Sequence, residues 1–417
     1  MENQLQSLID GAKAFGVVRP TGEFRLELPK SANFFVGRSF AQNVIRVDKP
    51  ELVLDFTDAV LRLDVEEPLG SDINVIFLAG MAKHVRIINL KLYVYCKCPA
   101  TVRKITGIYN TAFGVKLENC RVEIVSEYAM GVTAVANYGG LDTHLETKAD
   151  NFSVSGCFLK AQAVSAAERN CAVYGFYNEL ANSVSLTDSF VYANVKGNGG
   201  AQRATGVYTN GRFGRFVGNN IKANGAHNAG KLLEAAHACG FANEGLYSLI
   251  ASNNIVGEWG GTCVGLENRG SFAKVNGNKI LATHTVKGRS VRNFADDCVF
   301  DGNVLTSTSR NPRLFELAGK NCVIANNLME ALLNWWDYRS SCGVYAADEN
   351  AKDNIISSNV VKNVCDCGIF AARGAAVVKD NVFAADGHAA GFVEVAGPEN
   401  AALRSKLDEK YIISVTE

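Results

Sequence analysis

Apolar residues in this chain come in short runs that follow no helical period, and the runs are punctuated by the same polar phrase. Leu249-Ile-Ala-Ser-Asn-Asn-Ile-Val256 shows the unit: a strand-like run, a small or polar residue, an Asn and a branched apolar residue. The phrase returns around Asn220, Asn254, Asn278, Asn303, Asn327, Asn359 and Asn381. The shorter intervals fall in the low twenties of residues and the longer ones carry insertions, which is the signature of a solenoid. In Phe272-Ala-Lys-Val-Asn-Gly-Asn-Lys-Ile280 two apolar strands flank a Gly-Asn corner. Asn and Gly tolerate the left-handed backbone that such a corner needs. Stacked corners place Asn above Asn, so that side-chain amides hydrogen-bond along one row. Strands rich in Val, Ile, Leu and Phe suit parallel pairing around a continuous core. The expected fold is all-β: a right-handed parallel β-helix with short helical caps and loop insertions.

The remaining pattern marks ends and excursions. Leu5, Leu8, Ile9, Ala12 and Phe15 lie at helical spacing and predict a helix covering the open end of the first coil. Coils start near Val44, and residues 136–148 break the rhythm as an excursion. Residues 223–240, with Lys231-Leu-Leu-Glu-Ala-Ala-His237, predict a short helix between ladder positions, and residues 330–339 extend a later coil. Residues 402–410 read as a closing helix and 411–415 as a last strand. The whole chain is expected to be one domain, with a cap and entry over 1–43, coils over 44–399 and a cap over 400–417, because a solenoid grows by repetition.

Composition removes several function classes. The 417 residues carry 42 basic and 42 acidic side chains and no basic tract, so neither nucleic acid nor an anionic membrane surface is the expected partner. The N-terminus has no basic start followed by an apolar core, and no apolar run reaches membrane-spanning length. The twelve cysteines are scattered through strand contexts. Cys298 and Cys322 each lie five residues before a ladder Asn and are expected to stack as small buried hydrophobes. That usage favours a reduced, cytoplasmic setting. Cys96-Lys-Cys98 and Cys365-Asp-Cys367 have C-x-C spacing and no nearby His, so no metal and no cofactor is expected.

Counting eleven residues back from each ladder position gives a polar column: Tyr177, Thr209, Asn243, Glu267, Arg292, Glu316 and Asp348. The position before it reads Phe176, Tyr208, Ala242, Leu266, Val291, Phe315 and Ala347, which is the inward side by its apolarity. Coils about 4.8 Å apart place acids of this column at separations suited to retaining or inverting glycosidic cleavage. The alternative is a solvated face in which Arg292 balances Glu267 and Glu316. Glu258 is the other candidate: it follows the ladder corner, precedes two glycines and adjoins Trp259, and an apolar neighbour raises a carboxyl pKa as a general acid requires. In the insertion at 330–339, Trp335, Trp336 and Tyr338 either offer flat faces to sugar rings or anchor their own loop.

Residues 253–266, the run 314–328, the Trp-bearing loop and residues 343–359 together resemble successive coils of the inulin fructotransferase and difructose-anhydride hydrolase family. The resemblance implies a trimeric parallel β-helix in which two acids cleave a fructosyl linkage near a subunit boundary. Glu258 then matches the catalytic Glu in its Asn-Asn-x-x-x-Glu-x-Gly context. The family's catalytic Asp falls on Tyr247, or on Glu244 with a small gap. Arg310-Asn-Pro-Arg313, followed by Asn326-Asn327, is similar to the Arg-x-Pro-Arg segment of pectate lyases, where an Arg helps proton abstraction. Their calcium-binding Asp cluster and their Trp- and His-rich motifs are missing from the sequence, and Arg313 is expected either to stabilise a corner or to bind an anionic substrate group.

The reading that follows is a carbohydrate-active enzyme acting on an oligosaccharide or polysaccharide, of fructan or difructose type, with Glu258 as general acid/base. Glu244, Glu267 and Glu316 compete as its partner carboxylate, and Arg292, Asp348, Trp259, Trp335, Trp336, Tyr338 and Arg313 bind substrate. The apolar residues of the two insertions point to a homotrimer that closes the groove. Two alternatives stand beside it. One is a lyase acting on uronate-containing glycan, dependent on Arg292, Arg313 or a bound divalent cation. The other is a non-catalytic structural or adhesion β-helix, as in phage fibres.

Overall fold

A single coil contains the whole architecture. In the computed structural model, Leu249–Ala251 runs along a first sheet, Ser252 and Asn253 turn the chain, and Asn254–Asn268 then covers two further faces. Residues 254–258 pair with Asn220–Asn224 of the coil before, and residues 262–268 pair with Ala236–Asn243, so the strand bends at Trp259-Gly260-Gly261. Repeating this path stacks thirteen strands in the first sheet, from Val17–Val18 to Ala376–Lys379, and parallel strands on the other two faces. The chain is a parallel β-helix, as the Asn-punctuated pattern predicts. The structure describes residues 4–395 except 30–33, 37–38, 67–71, 98–103, 128, 141–148, 166–170, 198–201, 226, 229–230, 233–235, 310, 333–340, 347, 349, 365, 373 and 385–389. The predicted closing helix and last strand, most of the 136–148 excursion, and Trp335, Trp336 and Tyr338 lie outside the described residues.

Inward side chains form unbroken columns. The first face contributes Phe216, Ile250, Val275, Phe300, Ile324 and Ile356; the second contributes Ile221, Ile255, Ile280, Leu305 and Met329; the third contributes Val207, Phe241, Leu266, Val291, Phe315 and Val344. All are buried, and each such side chain removed from water contributes roughly 1.5–3 kcal/mol.

The polar row at the corner between the first and second faces is the predicted Asn ladder, with a correction of register. It runs through Asn219, Asn253, Asn278, Asn303, Asn327, Asn359 and Asn381. Asn220 and Asn254, expected in the row, instead begin the second face and hydrogen-bond to each other outside it at 3.2 Å. The physical reason is the residue before each ladder Asn. Gly218, Ser252, Gly277, Gly302, Asn326, Ser358 and Asp380 all have positive φ, and only the residue after that left-handed turn points inward. Each ladder Oδ1 accepts the backbone N–H of the Asn one coil earlier, at 2.9–3.0 Å. Toward the N-terminus the same acceptor role passes to Ser189 Oγ and Cys157 Sγ. A second row, not anticipated, links Asn110, Asn137, Asn178 and Thr209, then Asn243, Asn268 and Asn293, at the end of the third face.

At the N-terminus Gln4–Gly11 is the predicted helix, with Leu5 and Ile9 buried. Its Gln6 amide donates to the Arg46 carbonyl at 2.9 Å and accepts the Arg46 N–H at 2.8 Å, imitating the strand that the first coil lacks. Phe15 falls past the helix at φ 64° and is exposed. The helix expected in 223–240 is replaced by strands: His227–Asn228 pairs antiparallel with Lys231–Leu232, and Ala236–Asn243 belongs to the third face. Ala236 and His237 pair with Gln202 and Arg203, so tertiary pairing overrides helical propensity at these two residues. Cys298 and Cys322 do stack in neighbouring coils, buried, their sulfurs accepting from the Asn268 and Asn293 amides at 3.3 Å, and every described cysteine is buried and free.

Candidate active site

The outward side of the third face carries the chemistry. Neighbouring coils align Tyr177, Tyr208, Ala242, Glu267, Arg292, Glu316 and Tyr345 in one column. Beside it runs a second outward column: Tyr174, Thr205, Cys239, Val264, Arg289 and Arg313. Glu267 and Arg292 alternate with the inward Leu266 and Val291, and a break in the alternation at Gly265 and Ser290 brings Val264 and Arg289, three positions back, to the same outward side.

The column predicted from the sequence is therefore right at Tyr177, Glu267, Arg292 and Glu316 and wrong at Thr209, Asn243 and Asp348. Thr209 and Asn243 lie one residue too far and belong to the second polar row. The inward side in those coils is Val207 and Phe241, and Tyr208 and Ala242 face outward. Both errors come from counting back from Asn220 and Asn254. Asp348 is also displaced: Tyr345 takes its place, because the stretch from 345 to the ladder at Asn359 is longer than in the preceding coils. Asp348 instead accepts the Asn350 N–H at 2.8 Å in a turn.

Glu267, Arg292 and Glu316 are brought together. Arg292 spans the two acids, Nη1 lying 3.6 Å from Glu267 Oε2 and Nη2 3.5 Å from Glu316 Oε1. Arg289 Nε adds a contact of 2.8 Å to Glu316 Oε2, and Arg313 Nη1 lies 3.8 Å from the same oxygen. Burial alone would push the Glu316 carboxyl up, but attraction to Arg289, Arg292 and Arg313 outweighs it and holds the carboxyl below its ordinary value. Burial pulls Arg289 down to about 10, with crowding by Arg313 adding to the effect, and it remains a cation at neutral pH. Glu267 receives Arg269 Nε at 2.9 Å. The Arg269 and Arg292 guanidinium groups both lie over Phe294, at 4.5 and 4.8 Å from the ring centre, and Arg313 lies 3.8 Å from that of Tyr345. Arg313 thus sits within a strand beside the acids, not at a corner.

On the N-terminal side of these charges stands an aromatic shelf. Tyr177 and Tyr208 stack with ring centres 5.0 Å apart, and Tyr174 meets Tyr177 edge-on at 4.9 Å. Burial, reinforced by hydrogen bonds to Glu179 and Glu244, raises the Tyr177 and Tyr208 phenols, so both remain hydroxyl donors. Glu244 accepts from Tyr208 Oη at 2.9 Å and stands at the edge of this shelf. Between shelf and charges lie the small side chains Cys239, Ala242 and Val264, all buried, with Tyr208 packed against them.

Glu258 stands elsewhere. It ends the second face, separated from Glu267 by the corner 259–261, and pairs with Lys222 Nζ at 2.7 Å. Trp259 occupies that corner at φ 54° and stacks on His284 with ring centres 4.2 Å apart. Of the acids proposed as partners of Glu258, Glu267 and Glu316 thus form their own cluster with arginines, and Glu244 stands by Tyr208.

No family model matches the chain, and no curated protein is similar to it in sequence. Among solved structures it is similar to the A-module of the Azotobacter vinelandii mannuronan C-5 epimerase AlgE4, at 11% identity over 94% of both chains with a TM-score of 0.46. It is also similar to a PL6 alginate lyase in complex with trisaccharide, at 10% identity over 95% of this chain and 86% of that one with a TM-score of 0.46. A third is the tailspike protein of E. coli bacteriophage HK620, at 12% identity over 94% and 74% with a TM-score of 0.43. The functional reading rests on the residues of the site itself.

Several of those residues escaped the sequence reading. Arg269 follows Glu267 by two positions, so alternation along the strand was the available signal once the register was known, whereas Arg289, three positions before Arg292, reaches the same side through the break at Ser290 that alternation does not foretell. Tyr174, Tyr208 and His237 were hidden by the one-residue slip and by the helix expected over 223–240.

Proposed function

We propose that the protein acts on an anionic, uronate-containing polysaccharide, starting with removal of the proton on the carbon that bears the carboxylate, as in eliminative cleavage. One observation carries this: on a single outward strip four guanidinium groups, Arg269, Arg289, Arg292 and Arg313, face two carboxylates, Glu267 and Glu316. Four guanidinium groups gathered in a partly buried setting suit an anionic ligand better than a neutral sugar. A uronate carboxylate matches the planar guanidinium fork. The same pairing stabilises the negative charge that develops when the adjacent proton leaves. Tyr174, Tyr177 and Tyr208 add ring surface and hydroxyl donors for neighbouring sugars.

A second reading, glycosidic cleavage of a fructan by paired carboxylates, finds support in Glu267 and Glu316 sharing a column two coils apart. It is weakened by Arg292 between them and by the arginines that keep Glu316 ionised, since cleavage requires one protonated acid. The trimer implied by the family resemblance belongs to this proposal as well, and sedimentation velocity checks it. The deciding experiment incubates the purified protein with polyuronates, inulin and difructose anhydrides. Ultraviolet absorbance of an unsaturated uronate product supports the proposal; turnover of inulin without turnover of any polyuronate overturns it.

A further inference from the structure

Between the tyrosine shelf and the arginine cluster, one side chain is used by neither of them. His237 lies in Ala236–Asn243, paired across the sheet with Arg203 on one side and Thr262 on the other, and Thr262 pairs in turn with Lys287. Its strand neighbours Cys239 and Ala242 are the small, buried residues between shelf and cluster. The Nδ1 atom is buried and has no hydrogen-bond partner among the described residues. A buried ring nitrogen without a partner is a cost that structural histidines avoid.

We infer that His237 is the base that takes the proton from the uronate carbon, its imidazole facing a sugar laid across this strip while Arg292 and its neighbours hold the carboxylate. This rests on the uronate reading above. In the step, the C5–H electron pair forms the C4–C5 double bond, the C4–O bond breaks, and the proton passes to the imidazole. The departing glycosidic oxygen is protonated from water or from the Tyr208 hydroxyl. Burial lowers the imidazole's pKa to about 4, and the charges of Arg203 and Arg292 lower it further, against the opposing pull of Glu267. The ring is thus unprotonated and able to accept at neutral pH. The thiol of Cys239 on the same strand is pushed up to about 12 by burial and stays protonated beside it. Lys287 on the adjoining strand and Arg203 complete the cationic surroundings.

The test uses the full chain and a polyuronate. His237→Gln is expected to lower kcat by about 10²–10⁴-fold with KM changed less than threefold, and to remove the acidic rise of kcat/KM that the wild type shows. His237→Asn, checked for folding by circular dichroism, serves as the second variant, and the wild-type pH profile is an independent measurement. Turnover by either folded variant within threefold of wild type overturns the inference while leaving the uronate reading intact; so does a wild-type profile that stays flat well below pH ~4. If the wild type neither binds nor converts any polyuronate, the uronate reading fails and His237 loses its role with it.

Discussion

Replacing Glu316 by Gln removes one charge at the point where three guanidinium groups meet. The carboxylate contacts Arg289 at 2.8 Å, Arg292 at 3.5 Å and Arg313 at 3.8 Å, and the side chains of Glu316, Arg289 and Arg313 are each less than a fifth exposed. Breaking a buried pair typically costs about 3–5 kcal/mol because a charge is left unpaired. Arg292 is about a quarter exposed and the Gln amide can keep one acceptor, so the expected loss is about 2–4 kcal/mol. Guanidinium chloride unfolding measures it at a series of pH values. The folded pKa of Glu316 lies below its ordinary value of 4.5, so its stabilisation is fully present above that value and disappears as pH falls through the lower folded one. Wild type and Glu316→Gln should therefore differ at pH ~7 and converge in strong acid. Equal stabilities at neutral pH, or a difference that persists unchanged in acid, would refute the ion-cluster account.

Other expectations bear on the same molecule. Asn303→Ala strands the Asn278 N–H and the Val275 carbonyl bonded to the Asn303 amide, for a loss of about 2–4 kcal/mol in denaturant unfolding. Asn381→Ala at the half-buried end of the row should cost less than half as much. Arg292→Ala should weaken binding of anionic oligosaccharide at least tenfold by titration calorimetry, with a reduced dependence on salt. Because His237 is lowered from 6.5 to about 4 in the fold, the unfolded chain takes up its proton first. Stability then falls as pH drops from about 6.5 to about 4, by up to about 3 kcal/mol, and His237→Gln should flatten that part of the profile.

The repeat was legible because each corner demands two things at once, a left-handed residue and an inward amide, and few residue types satisfy them. Where the chain writes Asn twice, as at 219–220 and 253–254, either residue meets the compositional demand. Only the positive φ of Gly218 and Ser252 decides which one enters the row. That one-residue ambiguity turns a strand's faces over, which is why Glu267, Arg292 and Glu316 were placed correctly while Tyr208 was assigned to the core. The resemblance that favoured Glu258 rests on local spacing after the ladder. It contains no information about Lys222, one coil away, or about the corner that separates Glu258 from the other acids.

The direction of the ladder hydrogen bonds has consequences for truncation. Every coil's corner N–H is accepted by the coil that follows it, so cutting the chain at a coil boundary does not produce equivalent ends. A molecule shortened from its C-terminus presents an unpaired backbone N–H and a free amide hydrogen. At the corner, one shortened from its N-terminus presents an Asn oxygen without donors and an amide hydrogen that has lost its carbonyl acceptor in the removed coil. Growth of the solenoid on the ribosome passes through the first kind of end at every coil, and each new Asn completes the corner before it. The row therefore closes behind the growing chain one turn at a time.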